Sequence, residues 1–582
     1  MTRFNLIDEP WIKVIDENNQ NTMVSIKAIF ENANKYKKIA GDMATQDFAV
    51  FRVLLSILHT VYSRFDFYGD VYENIHLDEN FKPINELDDE DDIDEYKEAL
   101  METWKNLWEN KGFTDSVNKY LEKWHDRFYL FDDKYPFFQV SEEDIADKIN
   151  ENSKKNLLKY IEGSNKKENL VKGKTINRLI CESDHKLAMF SPKYDENKSK
   201  LSEADIIRWL IMYQGYTGVA DKVKLETKKY TTSKGWLYDI GGIYVNGENL
   251  FETFMLNLIL VHPNLDTKIQ KPCWEYENEE LIQNYLKNKE IDNLAELYTN
   301  WSRVIYINSE LNIKEDFKFF SVKLPEINHE NNFLECMTLL KYDEKEKVYK
   351  PLKHELYKSL WRNYGLITTD KNIGIRRWLD NIKNEIKDFK INIIAISMQA
   401  DNNSSSRIPI NEIYDGFNVE NSVFLDKNKK GWIIRINDIV EITKDILDKN
   451  YRMFVRDLRK IRNIQKKEEQ TELFIINNEV EKLYLAIDTP FKNWLSSLKN
   501  EDNIEEKMNE WKCTLKNIIE KYMNAFLENA NMKDYKGIEK NGKIENIITI
   551  YNRFLSNLLK KCNVVRKEKK LDEWYWYIQT YL

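Results

Sequence analysis

The chain has few cysteines and no long apolar run. Its five cysteines lie far apart and form no C-x-x-C pair, so neither a disulfide framework nor a cysteine zinc site is expected. A membrane-spanning helix needs about 18 or more consecutive apolar residues, and the sequence has no such run. The first residues, Met1 to Glu9, carry acids where a signal peptide would be apolar. These features predict a cytoplasmic protein with no membrane partner.

The sequence also lacks recognisable catalytic motifs. H-E-x-x-H and G-x-S-x-G are absent, and the seven histidines stand apart from one another. Gly173-Lys-Thr175 is similar to the end of a phosphate-binding P-loop, but the first glycine of that motif would fall on Glu168. We therefore expect no enzyme activity, no cofactor and no metal site.

The length and net charge of the chain limit its domain organisation and the remaining functional classes. With 582 residues, the chain exceeds the size of about 250 to 300 residues that one core usually organises, which predicts two or more domains. A net charge of −9 argues against a protein that coats nucleic acid, although it leaves room for a local basic path. The lysine-rich segment from Lys222 to Lys234 is the best candidate for contact with a polyanion, and a solvated loop is the alternative.

Residues Gly235 to Leu260 predict a turn, a strand, a second turn and a helix. Ile243 to Val245 is β-branched and aromatic, and glycines precede and follow it. Asn249 can cap the helix, and Glu252 can reach back to the cap amide. The helix has one broad apolar face, so we expect it in a core.

Apolar periodicity divides the chain into two parts. Up to residue 425, short strands mix with amphipathic helices, including Thr45 to Tyr62 and Ser202 to Tyr213, and the segment after Gln214 is expected to leave the helix. Ile391 to Met398 predicts a buried strand that leads into a polar hairpin tip, Gln399 to Arg407. From 426 to 582 the period of 3.6 predicts four helices. The expected fold class is α+β, with a large mixed domain (1–425) followed by a C-terminal four-helix bundle (426–582).

Several segments follow one another in a recognisable order, namely Phe4-Asn-Leu-Ile-Asp-Glu-Pro-Trp-Ile-Lys-Val14, Gly41-Asp42 before Leu54-Leu-Ser-Ile-Leu58, Phe128-Tyr-Leu-Phe131, Pro136-Phe-Phe-Gln139, Asn249 to Leu258 and Trp361-Arg-Asn363. In their order and spacing they resemble the CasA family, the large subunit of the type I-E CRISPR Cascade complex. The resemblance extends over nearly the whole chain, including the final helices. No single motif is diagnostic, and the family assignment rests on order and spacing.

The resemblance implies a non-catalytic subunit of a CRISPR RNA-guided assembly. Such a subunit recognises the protospacer-adjacent motif in double-stranded DNA, helps to start strand separation and R-loop formation, and presents the target to a helicase-nuclease. Its partners would be the other Cascade subunits, CRISPR RNA, target DNA and the recruited helicase-nuclease. Sequence choice would then depend mainly on base pairing.

The same resemblance assigns candidate site residues. The loop that contacts the complex and the RNA end would contain Met189, Phe190 and Ser191, and the wedge would be the hairpin with Gln399, Asn402 or Asn403. The glycine loop facing the motif would comprise Gly215, Gly218, Val219 and Ala220. Two separated glycines replace a cluster there, which puts the family's motif preference in doubt. Lys314 or Lys318 would be the lysine that reaches the groove.

A cytosolic protein-interaction scaffold with no nucleic-acid role is the competing interpretation. The net negative charge favours it. The two interpretations differ in whether the chain joins a guide assembly and affects its binding to duplex DNA.

Overall fold

The computed structural model describes residues 4–87, 89–163, 170–177, 179, 193, 195–217, 223–225, 230–310, 315–369, 374–386, 389–400, 409–426, 428, 431–462, 469–540 and 542–562. The chain is a mixture of helix and sheet, as predicted. It divides into two compact units, the first comprising Met1–Leu356 with Thr369–Gly416, and the second Tyr357–Thr368 with Phe417–Leu582. The sequence-based boundary at 425/426 stays a prediction.

Helices are the main elements of the described residues. The α-helices are α1 (Ile26–Glu31), α2 (Ala44–Tyr62), α3 (Glu90–Asn110), α4 (Ser116–Lys123), α5 (Glu142–Ala146), α6 (Glu151–Ile161), α7 (Gly173–Ile176), α8 (Glu203–Tyr216), α9 (Trp236–Ile240), α10 (Leu250–Asn257), α11 (Asn278–Leu286), α12 (Leu294–Tyr298), α13 (Tyr364–Thr368), α14 (Ile375–Asn381), α15 (Asn421–Phe424), α16 (Trp432–Lys444), α17 (Arg452–Ile461), α18 (Glu469–Ser497), α19 (Ile504–Glu528), α20 (Met532–Lys536) and α21 (Ile547–Lys561). Short 3-10 helices cover Ala33–Lys35, His125–Arg127, Asp195–Ser199, Cys273–Glu275 and Leu360–Asn363, and a π-helix covers Asp445–Tyr451. In the part of the chain that is described, no helix is both long and apolar enough to cross a membrane.

The strands form several small sheets. They are β1 (Ile12–Asp16), β2 (Asn21–Val24), β3 (Tyr36–Ile39), β4 (Leu170–Lys172), β5 (Gly242–Asn246), β6 (Arg303–Tyr306), β7 (Lys318–Lys323), β8 (Leu340–Asp343), β9 (Val348–Pro351), β10 (Lys390–Ala400), β11 (Pro409–Glu420), β12 (Ile538–Lys540) and β13 (Lys543–Glu545). Three sheets have three strands, in the orders β2-β1-β3, β11-β10-β5 and β4-β7-β6. Strand β10 pairs antiparallel with β5, with Ile394 opposite Tyr244.

Helix α2 runs through the core of the first unit. From Phe48 to Tyr62 every side chain is buried, and the helix packs against α8 and α12. The Arg52 guanidinium donates two hydrogen bonds to Glu335, at 2.9 and 2.8 Å, and both side chains are almost fully buried. Trp236 Nε1 donates to the same carboxylate at 2.7 Å. A buried charge is costly unless it is paired. These hydrogen bonds therefore hold both α2 and α9 against the Glu335 side chain.

The stretch from Gly235 to Leu260 forms α9, β5 and α10. Asn249 caps α10, because its side chain accepts from the Glu252 amide at 2.9 Å. The Glu252 carboxylate reaches back to the start of the helix, as predicted. It accepts from the Glu248 amide at 2.7 Å, and the Asn249 cap amide also contributes a hydrogen bond to it. The apolar residues of α10 are buried, so its predicted core position is confirmed.

Helices dominate the second unit. The four helices predicted from periodicity lie at α16 to α17, joined by the π-helix, and at α18, α19 and α21. Helix α18 packs on α19, where the Phe491 and Trp511 rings meet edge to face with centroids 4.9 Å apart. Helix α17 packs on α21, where Phe454 contacts Phe554. Their arrangement as one four-helix bundle stays a prediction.

Candidate nucleic-acid interface

Three of the predicted site residues lie in the described part of the chain, namely Gly215, Lys318 and Gln399. All three belong to the first unit. The other predicted residues lie outside the described residues: Met189, Phe190, Ser191, Gly218, Val219, Ala220, Lys314, Asn402 and Asn403. The geometry of the region therefore comes from the elements that flank these segments.

Gly215 lies in the last turn of α8. The expectation that the chain leaves the helix after Gln214 is wrong, because α8 continues to Tyr216. A Cβ on Gly215 would lie 3.0 Å from Leu237 Cδ1, and a Cβ on Gly235 would lie only 2.6 Å from the Gly215 carbonyl oxygen. Gly235 also has a φ of +90°, a conformation that favours glycine. The two glycines therefore allow the backbones of α8 and the turn before α9 to meet.

Gln399 lies near the end of β10 and is exposed to solvent. Its Oε1 accepts a hydrogen bond from Asn411 Nδ2 on β11 at 3.1 Å. Strands β10 and β11 are neighbours in one sheet, as the predicted hairpin requires, and residues 401–408 between them lie outside the described residues. Gln399 thus places a side-chain amide on the solvent side of the hairpin arms.

The hairpin arms are fixed to the core of the first unit. On β11, Glu412 Oε1 accepts from both the backbone amide and the hydroxyl of Thr45, each at 2.6 Å. On β10, the buried Ser397 hydroxyl donates to the His354 carbonyl at 2.7 Å. Gly416 allows β11 to approach closely, because a Cβ there would lie 2.6 Å from the Ile393 carbonyl oxygen. The arms therefore hold Gln399 on a rigid base.

Helix α9 connects the end of α8 with β10. At its start, Gly235 contacts Gly215, and at its end Gly241 lies against Ile396 and Ser397 of β10. A helix of this length spans about 7.5 Å. The structure therefore places the end of α8 and one arm of the hairpin in the same neighbourhood, as the predicted site requires.

Two lysines lie beside α9. Lys234 lies 3.6 Å from Asp239 with a half-exposed side chain. Lys353 donates from Nζ to the Tyr238 carbonyl at 2.6 Å and lies over the Tyr238 ring. Burial lowers the pKa of Lys353 to about 8, while the charge of Asp239 opposes this shift and that of Lys234 adds to it. Lys353 is absent from the residues predicted from sequence, since a single lysine in a lysine-rich chain carries no signal.

Lys318 occupies a different position. It begins β7, opposite Lys172 of β4, and its side chain is only 12% exposed, with Nζ 3.5 Å from Asp316. At the other end of β7, Lys323 pairs with the segment after residue 222 through the Val223 carbonyl. The length of β7 separates these two ends by about 16 Å. Lys318 therefore lies at the end of β7 away from Lys323, and its sequence neighbour Phe319 packs edge to face on Tyr213 of α8, with ring centroids 5.5 Å apart.

The groups collected around α9 suit a polar ligand with phosphates. Side-chain amides such as that of Gln399 can donate to and accept from base edges, and lysines contact phosphates without base preference. The backbone turns at Gly235 and Gly241 both have positive φ, so they form tight corners beside these side chains.

Comparisons with known proteins point to one protein family. A protein-family model described as CRISPR-associated protein Cse1 matches residues 5–522. A curated relative, the CRISPR-associated protein CasA/Cse1 of Thermus thermophilus, is 25% identical over 279 residues. That alignment covers 47% of this chain and 42% of the relative, so it spans less than half of the relative's length.

Solved structures with the same fold extend over the whole chain. The crystal structure of Thermobifida fusca Cse1 is similar with a TM-score of 0.71 and 21% identity, covering 96% of this chain and 98% of that chain. A chain from a structure described as a CRISPR RNA-guided surveillance complex is similar with a TM-score of 0.55 and 10% identity, covering 96% and 99%. At these identities the similarity establishes the fold.

Proposed function

Because the chain belongs to the CRISPR-associated Cse1 family, the CasA large subunits, we propose that it is the non-catalytic large subunit of a type I-E Cascade complex. In this role it recognises the protospacer-adjacent motif in double-stranded target DNA and helps to start strand separation and R-loop formation. Its partners are the other Cascade subunits and CRISPR RNA, in the cytoplasm. The match of the family model to residues 5–522 supports the subunit assignment.

The main support for recognition of the protospacer-adjacent motif is the hairpin formed by β10 and β11, whose arms are fixed to the core. Its arms are fixed through Glu412 and Ser397, and Gln399 projects an amide at their solvent side. Insertion between base pairs requires a rigid support, since unstacking DNA takes a few kcal/mol per base step. Residues Gln399 to Ser406, with Asn402 and Asn403, supply the wedge in this proposal.

The other segments have separate roles. The segment from Gly215 to Ala220, which begins in the last turn of α8, faces the motif, and Lys314 or Lys318 reaches the groove. For Lys318 this requires the ion pair with Asp316 to open. Met189, Phe190 and Ser191 contact the assembly and the RNA end. The helices of the second unit form a four-helix bundle that flanks the duplex and presents it to the recruited helicase-nuclease.

Reconstitution tests the proposal. The purified chain is mixed with the remaining Cascade subunits and CRISPR RNA, and binding is measured for target duplexes that differ only in the flanking motif. We expect the chain to join the assembly and the binding to depend on the motif and on salt concentration. In Gln399→Ala we expect about a tenfold loss for the motif-bearing duplex, within the 1 to 3 kcal/mol typical of a base-edge contact.

Gln20→Ala is the matched control, because Gln20 is an exposed amide in the turn between β1 and β2 of the same unit. It should bind as the unsubstituted protein does. A chain that joins the assembly but binds both duplexes equally would contradict motif reading. A chain that joins nothing would favour the protein-interaction scaffold, which the net charge of −9 also fits.

A further inference from the structure

A mixed cluster of one histidine and two carboxylates lies beside α9, on the side of the loop that follows β7. Asp239 of α9, Glu326 and His329 each offer one ligand atom, and these atoms all lie within 4.8 Å of one another. The three residues are half-buried. Asp239 lies far in sequence from the segment that carries Glu326 and His329, so the approach of these two segments is a product of the fold.

We propose that Asp239, Glu326 and His329 form a binding site for a divalent transition metal ion, with Zn²⁺ as its preferred occupant. The His329 imidazole determines which kind of metal ion suits the site. Histidine nitrogen together with carboxylate oxygen is a donor set that zinc takes, whereas Mg²⁺ and Ca²⁺ prefer oxygen donors alone.

The distances fit such an ion after a small adjustment. An ion equidistant from three atoms at the maximum separation of 4.8 Å would lie about 2.8 Å from each of them. Zinc binds histidine nitrogen and carboxylate oxygen at about 2.0 to 2.2 Å. The side chains therefore need to close by less than about 1 Å, which small rotations provide. Three protein ligands leave a further position for water.

The partners of the three side chains agree with this assignment. Among the described residues, neither the Glu326 carboxylate nor the His329 imidazole has a hydrogen bond or an ion pair. Asp239 has Lys234 at 3.6 Å and also interacts with the charge of Lys353, so its own negative charge is compensated by lysines and that of Glu326 is not. Two half-buried carboxylates this close repel each other unless a cation lies between them.

The backbone around the cluster is held in place. The Glu326 amide donates to the Thr231 carbonyl at 2.9 Å, and Thr232 forms a β-bridge with Pro325. Glu326 also lines a cleft of about 940 Å³, together with Asn328 and Glu330, which gives an ion a path from solvent. A bound ion would therefore clamp the segment after Leu324 onto α9.

Metal binding by the full-length chain tests this site. The protein is stripped with a chelator, and binding of Zn²⁺, Mn²⁺ and Mg²⁺ is measured by calorimetry, with stoichiometry from elemental analysis. We expect one Zn²⁺ per chain and weaker binding of Mg²⁺. Glu326→Gln and His329→Asn should each lower the affinity for Zn²⁺ by at least about tenfold, a loss that even outer-shell substitutions produce. The same ion should raise the thermal unfolding midpoint.

Glu279→Gln and His76→Asn are the controls, because both residues are exposed and lie elsewhere in the first unit. They should leave the affinity unchanged. Substitution with Co²⁺ provides a second measurement, since ligation gives a visible absorption band that His329→Asn should alter. Absence of stoichiometric Zn²⁺ binding overturns the site. So does binding that is equal in the site variants and the controls, or binding of Mg²⁺ in preference to Zn²⁺.

Discussion

His59 shows how a single side chain is fixed by its surroundings. It is fully buried on α2, with Nδ1 2.8 Å from the Leu55 carbonyl, and its Nε2 accepts from the Ile259 amide at 3.1 Å. These two contacts select the neutral tautomer with hydrogen on Nδ1. Helical periodicity places His59 on an apolar helix face, but the amide that faces it comes from residue 259. The sequence therefore predicts a core histidine with satisfied nitrogens, as observed, while its amide partner is known only from the fold.

Protonation of His59 should destabilise the first unit at acidic pH. Burial, together with the charge of nearby Arg52, lowers the pKa of His59 to about 4, while the hydrogen bond to the Leu55 carbonyl opposes the shift. Since the unfolded chain titrates near pH 6.5, it binds the proton first, and stability falls as the pH drops from about 6.5 towards 4. From pH 7 to pH 5 the loss from this residue is about 2 kcal/mol.

Denaturant unfolding of the wild type and of His59→Gln at pH 7 and pH 5 measures this loss. The variant should be less stable at pH 7 and lose less stability on acidification. His262, whose pKa burial also lowers to about 4, adds a similar slope in both proteins. Exposed His76→Asn should keep the full wild-type slope. An equal slope in His59→Gln would contradict the assignment.

The position of a residue in the fold can be predicted from sequence only where the chain order carries information. A polar run after an apolar strand predicts Gln399 at a hairpin, and β10 confirms that strand. Glycine often ends a helix, which predicts Gly215 in a loop, yet here it allows close contact with Gly235. Lys353 could not be selected at all, because its position over Tyr238 depends on a distant segment.

At the scale of elements, the N-terminus of α2 depends on a strand far along the chain. Met43 stands at the cap position and makes no side-chain hydrogen bond there. Glu412 of β11 takes this role, since it accepts from the amide and the hydroxyl of Thr45. A carboxylate at this end also interacts favourably with the helix dipole. The contact ties the hairpin arm to the central helix of the first unit.

Removal of this contact should destabilise the first unit and loosen β11. In Glu412→Ala we expect a loss of about 1 to 2 kcal/mol, typical of a lost helix cap. Glu412→Gln keeps an acceptor oxygen and loses only the charge, so it should recover at least half of that loss. Denaturant unfolding measures both, and hydrogen exchange of the amides of β10 and β11 reports the loosening. Equal stability of Glu412→Ala and the wild type would show that α2 needs no cap from β11.

Long amphipathic elements were predictable from sequence, and short ones were not. Thr45 to Tyr62 and Ser202 to Tyr213 correspond to α2 and α8, because a period of 3.6 sustained over many residues is typical of an amphipathic helix. The sequence from Lys353 to Trp361 also favours a helix, but the structure has only a 3-10 helix there, which begins at Leu360. Over so few residues, tertiary contacts outweigh local propensity.

For the whole molecule, the chain passes between its two units more than once. It leaves the first unit after Leu356, contributes Tyr357–Thr368 to the second, returns at Thr369 and leaves again after Gly416. A boundary read from periodicity assumes that each domain is one continuous segment. Periodicity therefore could not assign the short segment around Trp361 to the helical unit.

Through Trp361, this short segment contributes to the stability of the second unit. Its ring is fully buried and stacks on Phe491 of α18 with centroids 4.2 Å apart, and its Nε1 donates to Asp488 at 2.9 Å. Truncation of a buried tryptophan typically destabilises by about 3 to 5 kcal/mol. We therefore expect Trp361→Ala to destabilise the second unit, although the residue lies well before its main segment in sequence.

Hydrogen exchange with mass spectrometry on the full-length chain locates the effect. Amides of α18 and α19 should exchange faster in Trp361→Ala, while those of α2 in the first unit should keep their wild-type rates. Tyr357→Ala is the matched control, because Tyr357 belongs to the same segment and is 78% exposed. It should leave both units unchanged. Faster exchange confined to α2, or no change in α18, would mean that the segment 357–368 is not part of the helical core, and that the units are continuous in sequence after all.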